Sequence, residues 1–257
     1  MKLREVNNHI TNWLKEYVEN INVEGFIIGI SGGIDSALTS TLCARTGKKL
    51  ICLTMPIHQK QEEVSRADKH IAWLKDNFKN VESMNIDLTD SFEALRTAYP
   101  KNTKDHHLSM ANTRSRLRMT TLYALGQTNG CLVAGTGNKV EDFGIGFYTK
   151  YGDGGVDLSP IADLMKSEVY DLAGDLGVID EILSARPTDG LWDDGRTDED
   201  QIGASYDELE WAMEFKGNEN DLNERETEVL KIYNNYHRAN KHKMVPIPIC
   251  EIPENLK

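Results

Sequence analysis

Cysteine, proline and aromatic residues are all sparse in this chain of 257 residues: four Cys, seven Pro and 7% Phe, Trp and Tyr. So little proline excludes a collagen-like or proline-rich extended protein. The four cysteines, Cys43, Cys52, Cys131 and Cys250, stand far apart and form no C-x-x-C pair. That excludes a dense disulfide frame and a cysteine zinc site, and predicts reduced thiols that are mostly buried. No apolar run approaches the ~18 residues a membrane-spanning helix needs. The opening MKLREVNNHI has no apolar stretch behind its charges, so a secretory leader is not expected and a cytoplasmic protein is. Positive charge is short as well: 29 Lys and Arg face 41 Asp and Glu, for a net charge of −12. Nucleic-acid binding is driven by neutralising phosphates, so this balance excludes a broad nucleic-acid surface.

What remains is ordinary globular composition, 39% hydrophobic and 27% charged. There is no internal repeat, low-complexity stretch or clear linker, and a single domain over residues 1–257 is expected. Val6, Ile10, Trp13, Leu14 and Tyr17 recur at helical spacing over residues 5–20. Short apolar runs at 26–30, 50–54, 81–88 and 131–135 read as strands. They alternate with helical patterns at 35–45, 62–78, 91–98 and 108–127. That alternation predicts an α/β fold, a doubly wound parallel sheet with helices on both faces. Further helices are predicted at 166–176, 206–215 and 224–240, before a proline-rich tail. Residues 187–200 are polar and acid-rich without a hydrophobic period, and are expected to be an exposed loop that covers a site.

The strongest chemical signal is Gly29-Ile30-Ser31-Gly32-Gly33-Ile34-Asp35-Ser36, where an apolar strand runs through two glycines into a helix start. Glycines let the backbone approach an anion closely, and the amides and dipole of a helix N-terminus attract it. The spacing is neither that of a Walker loop nor that of a dinucleotide fingerprint.

This S-G-G-x-D-S element resembles the pyrophosphate loop of the ATP pyrophosphatase superfamily, and further stretches are similar to one branch of it, the ammonia-dependent NAD+ synthetases. Asn112-Thr113-Arg114-Ser115-Arg116-Leu117-Arg118-Met119 resembles an N-x-x-A-R-x-R-M element with Ser115 in the alanine place. Gly135-Thr136 followed by Glu141, then Phe147 to Asp157 (FYTKYGDGGVD), Lys166, Pro187-Thr188 and His242-Lys243 match others in order. Only about 28 residues precede the loop, too few for the amidohydrolase domain of glutamine-dependent members.

The resemblance implies ATP-dependent amidation of deamido-NAD+ by ammonia through an acyl-adenylate, giving NAD+, AMP and pyrophosphate. It implies ATP contacts at residues 29–36, Thr136, Lys166 and Thr188, and Mg2+ on Asp35 and Glu141. Deamido-NAD+ contacts fall on Arg116, Lys150, Asp157, His242 and Lys243, and a homodimer is implied. Two points stay open at this stage. The stretch from Glu141 to Lys150 is one residue longer than the family pattern, which makes Asp142 a rival metal ligand. His237-Arg238 is likewise a rival to His242-Lys243. The Met55-Pro56 strand end is expected beneath the adenine. A tRNA-modifying enzyme and an ATP-sensing module without turnover also fit the loop alone. The charge, the cysteine spacing and the Lys150 segment speak against them.

Overall fold

The four apolar runs form four parallel strands in the computed structural model, which describes residues 1–59, 61–187 and 197–257, with backbone only at 61–63. They are β1 (Gly25–Gly29), β2 (Lys49–Thr54), β3 (Val81–Asn85) and β4 (Cys131–Val133). Their order across the sheet is β3-β2-β1-β4. The register pairs Gly25 with Lys49 on one side of β1 and with Cys131 on the other. The chain therefore winds outward in both directions from β1, and the carboxyl end of β1 is the switch point where such sheets take ligands.

The helices are α1 (Leu3–Ile21), α2 (Ile34–Arg45), α3 (Gln61–Asn77), α4 (Thr89–Ala98), α5 (Lys101–Lys104), α6 (His107–Asn129), α7 (Lys166–Asp175), α8 (Asp180–Leu183), α9 (Asp198–Ile202), α10 (Tyr206–Glu214) and α11 (Glu224–Met244). A π-helical turn, Val140–Ile145, lies between β4 and α7.

Side chains alternate across a strand, so each strand feeds two cores. Phe26, Ile28, Leu50 and Cys52 pack with Leu14 of α1, Leu38 of α2, Leu74 of α3 and Leu172 of α7. Ile27, Ile51, Leu53 and Val133 point the other way, onto Phe92 of α4 and Met110 of α6. Helices thus cover both faces, as the sequence predicts. A third apolar cluster, with Val140, Ile145, Ile202, Leu209 and Val229, joins the π turn to α9, α10 and α11.

Three expectations need correction. β3 stops at Asn85 rather than at residue 88. α11 runs on to Met244, so His242 and Lys243 lie on its last turn and not in a tail. The predicted loop over 187–200 does not hold at its far end, since residues 198–200 open α9. The Thr197 side chain accepts from the Asp200 amide at 3.1 Å and the Asp200 carboxylate accepts from the Thr197 amide at 3.0 Å, a reciprocal cap that starts a helix. Thr188, with the rest of 188–196, lies outside the described residues. Cys43, Cys52 and Cys131 are buried free thiols, and Cys250 is exposed.

Candidate active site

At the end of β1 the backbone turns through Gly32 at φ +84°, a left-handed conformation that L side chains rarely adopt. Gly33 follows as the N-cap of α2, and no side chain caps that helix start. The loop is laced internally: Ser36 Oγ donates to the Gly33 carbonyl at 3.0 Å, and the Ser31 and Ser36 hydroxyls lie 3.1 Å apart. Gly29 to Ser36 line a cavity of about 300 Å³ whose opposite walls include Thr136, Glu141, Asp153 and Lys166. Met55 and Pro56 line it at the end of β2, where the sequence places the base. Uncapped amides and a helix dipole thus meet a cavity at the switch point, which suits a polyphosphate.

Three predicted residues converge within this cavity. Lys166, the first residue of α7, is 3% exposed, and its Nζ lies 2.6 Å from Asp35 Oδ2 and 3.0 Å from Glu141 Oε1. Asn138 ties the two acids together, donating from Nδ2 to Asp35 Oδ1 at 2.9 Å and accepting the Glu141 amide at 3.1 Å. The Tyr206 hydroxyl donates to Glu141 Oε1 at 2.6 Å, and its ring lies 4.6 Å beneath the Lys166 ammonium. Burial pushes the Asp35 carboxyl up, against the pull of Lys166. Burial acts the same way on Glu141, but the Lys166 charge and the Tyr206 hydrogen bond outweigh it and hold that carboxyl down. Burial disfavours the Lys166 ammonium, yet its two carboxylates raise it above the ordinary lysine range.

One oxygen of each acid therefore lies within 3.0 Å of a single point that a cation occupies. Among the described residues no cluster of three or more His, Cys, Asp or Glu could hold a metal by itself. Two convergent carboxylates, completed by phosphate oxygens and water, are the donor set Mg2+ favours, so these residues fit it. Asp142 is turned elsewhere, against the backbone of Gly137. Burial and the nearby Glu141, Asp153 and Asp35 push its carboxyl up to about 7.

A second cluster gathers four of the five residues matched to the dinucleotide. Arg116 donates to the Lys150 carbonyl at 3.2 and 3.3 Å, and Lys150 Nζ donates to the His242 carbonyl at 3.0 Å. Lys243 Nζ donates to the Tyr148 carbonyl at 2.7 Å and to that of Gly146, above the Tyr148 ring. Asp157 stands apart: it accepts from the Tyr123 hydroxyl at 3.0 Å and from the Val133 amide at 2.8 Å, pinning its loop to β4. The rival His237 faces the Gly144 carbonyl at 2.7 Å.

The sequence reading missed Asn138, Tyr206 and the partner of Ser115. Asn three residues before Glu141 is a helix-start signal that could have been read. Ser115 Oγ donates to the Asp153 carboxylate at 2.6 Å and accepts the Asp153 amide at 2.8 Å, so the serine in the alanine place locks the 149–155 turn. Tyr206 carries no sequence signal, because α10 meets Glu141 only through the third core.

Comparison with known proteins agrees with this geometry. The NAD synthase family model matches residues 6–246. The chain is 34% identical over 95% of its length, and 95% of the other, to an NH3-dependent NAD+ synthetase of Mesoplasma florum. It superposes on the NMN synthetase of Francisella tularensis with a TM-score of 0.86, at 31% identity and 99% coverage of both chains. For an NH3-dependent NAD synthetase of Campylobacter jejuni the TM-score is 0.79, at 26% identity, covering 98% of this chain and 100% of that one. On its loop, its sheet and these similarities, the chain belongs to the NAD synthase family.

Proposed function

We propose that this chain is a ligase that amidates deamido-NAD+ with ammonia, using ATP and releasing NAD+, AMP and pyrophosphate. The observation that carries this reading is the convergence of Asp35 and Glu141 on the Lys166 ammonium beside the uncapped start of α2. A carboxylate cannot be displaced by ammonia directly, since oxide is a poor leaving group. Its oxygen instead attacks the α-phosphorus, the bond to pyrophosphate breaks, and an acyl-adenylate forms. Ammonia then adds to the acyl carbon, loses a proton, and AMP departs with the carboxylate oxygen.

Covalent work by the protein is small, so positioning and charge stabilisation dominate. The amides at Gly32 to Ser36 hold the departing pyrophosphate, and Thr136 and Thr188 complete the ATP contacts. Asp35 and Glu141 hold Mg2+, which when bound neutralises charge on the phosphates. Lys166, already between the two acids, is placed to follow the phosphate charge as it develops. Arg66, Arg118 and Arg186 also line the cavity and offset the anions that meet there. Arg116, Lys150, His242 and Lys243 form the dinucleotide side, with Asp157 supporting the loop. Residues 1–257 work as one domain, in the cytoplasm and as a homodimer.

The likeness to an NMN synthetase favours one second reading, the same amidation on the mononucleotide acceptor. Purified protein given ATP, Mg2+ and ammonium, with either deamido-NAD+ or nicotinate mononucleotide, separates them. The proposal expects AMP and NAD+ in equal amounts and a larger kcat/KM for the dinucleotide. A larger kcat/KM for the mononucleotide selects the second reading, and ADP as product defeats both.

A further inference from the structure

The three carbonyls that close the π turn are met in order by three side chains of one helix face. His237 Nδ1 lies 2.7 Å from the Gly144 carbonyl, Asn240 Nδ2 donates to the Ile145 carbonyl at 2.8 Å, and Lys243 donates to the Gly146 carbonyl. A carbonyl only accepts, so His237 carries its proton on Nδ1. Residues 237, 240 and 243 are three apart and share a side of α11. The last carbonyls of a helical turn lack partners within it, and here α11 supplies them. Gly146 sits at φ +63°, and a Cβ there would run into the Asn240 side chain, so only glycine lets α11 pack this closely on the turn. Tyr233 stacks on the His237 ring at 5.9 Å, fixing the first rung.

The far side of the same turn carries Glu141. The Gly146 and Phe147 amides both donate to the Glu141 carbonyl, the latter at 2.9 Å. A chain of hydrogen bonds thus runs from α11 through residues 144–147 to the backbone of Glu141, whose carboxylate meets Lys166, the lysine it shares with Asp35. From this geometry we infer that His237 and Asn240 are positioning residues for the metal site, holding the π turn so that Glu141 converges with Asp35. The inference rests on the functional reading above, in which Glu141 is a Mg2+ ligand. Neither side chain touches the cavity. They act through the main chain, and the second-layer partners of metal ligands typically change affinity by about 10–100-fold when removed.

The test compares wild type with Asn240→Asp, Asn240→Ala, His237→Ala and His237→Asn. Asn240→Asp keeps shape but replaces the donor with an acceptor, while His237→Asn retains a donor near the Nδ1 position. Two quantities are read: Mg2+ binding by calorimetry in the presence of an ATP analogue that cannot be cleaved between its α- and β-phosphates, and the Mg2+ concentration for half-maximal AMP formation. The inference expects both to weaken about tenfold in Asn240→Asp and His237→Ala, with kcat largely recovered at saturating Mg2+ and with His237→Asn near wild type. A purely structural role would lower the active fraction and leave both midpoints in place. Folded variants with wild-type Mg2+ midpoints, beside a wild type that does need Mg2+, overturn the inference alone. Should His237→Ala fail to fold, Asn240→Asp and Asn240→Ala still decide it. A wild type that makes no AMP overturns the functional reading and this inference together.

Discussion

Lys166 is the residue on which the charge of the site turns, because two carboxylates share its single, almost fully buried ammonium. Breaking one partner of a buried ion pair is costly, so the acids stay charged only while a cation stands between them. The two adjacent acids, Glu141 and Asp142, then divide cleanly. Glu141→Gln is expected to raise the Mg2+ needed for half-maximal activity by at least about tenfold, the scale on which even outlying metal partners act. Asp142→Asn is expected to change it little, and equal effects at the two positions would remove the carboxylate pair from the account. His70 makes a separate prediction about stability. It is fully buried, 2.9 Å from Ser40 Oγ and stacked on Trp73, and burial lowers its pKa to about 4. Below its ordinary pKa the unfolded chain binds a proton there and the fold does not, so stability falls as pH drops from about 6.5 to 4. A depression of some 2.5 units corresponds to about 3 kcal/mol. Urea midpoints across this range should flatten in His70→Phe relative to wild type, and an unchanged slope would refute the assignment.

Among elements, the β1–α2 unit carries most of the design, and it was also the most legible. An apolar run, two glycines and an Asp at a helix start state their geometry locally, so strand, turn and helix came out within a residue or two. Local signals also existed for what was missed. Thr197 with Asp200 is a capping pattern, and Lys241, His242 and Lys243 suit the negative end of a helix dipole, which is where α11 places them. The π turn had no such signal in its residues. It overlaps the segment that is one residue longer than the family pattern, and a π turn is the helical form that takes in an additional residue. The position of Lys166 between its acids was beyond reach, since the three residues come from α2, the π turn and α7 and meet only through packing. The tightest strand contact gives a test at this scale. A Cβ on Gly25 would run into the Lys49 carbonyl where β1 pairs with β2. Gly25→Ala is therefore expected to cost about 3 kcal/mol of stability, the upper range for overpacking, measured by denaturant unfolding. A loss below about 0.5 kcal/mol, the ordinary surface value, would contradict the register.

For the molecule as a whole, the problem is to bring a triphosphate and a carboxylate together inside a chain of net charge −12. The fold answers locally. It aims a helix start, a buried lysine and several arginines at one cavity, offsetting the four acids, Asp35, Glu141, Asp153 and Asp198, that also line it. Among the described residues no helix is long and apolar enough to cross a membrane. The central claim is that the carboxylate itself attacks the α-phosphorus of ATP held by the glycine loop. Deamido-NAD+ labelled with 18O in its carboxylate tests this directly, by mass spectrometry of the products after turnover with ATP, Mg2+ and ammonium. The account requires one labelled oxygen in AMP and none in pyrophosphate; unlabelled AMP, or label in pyrophosphate, would contradict it.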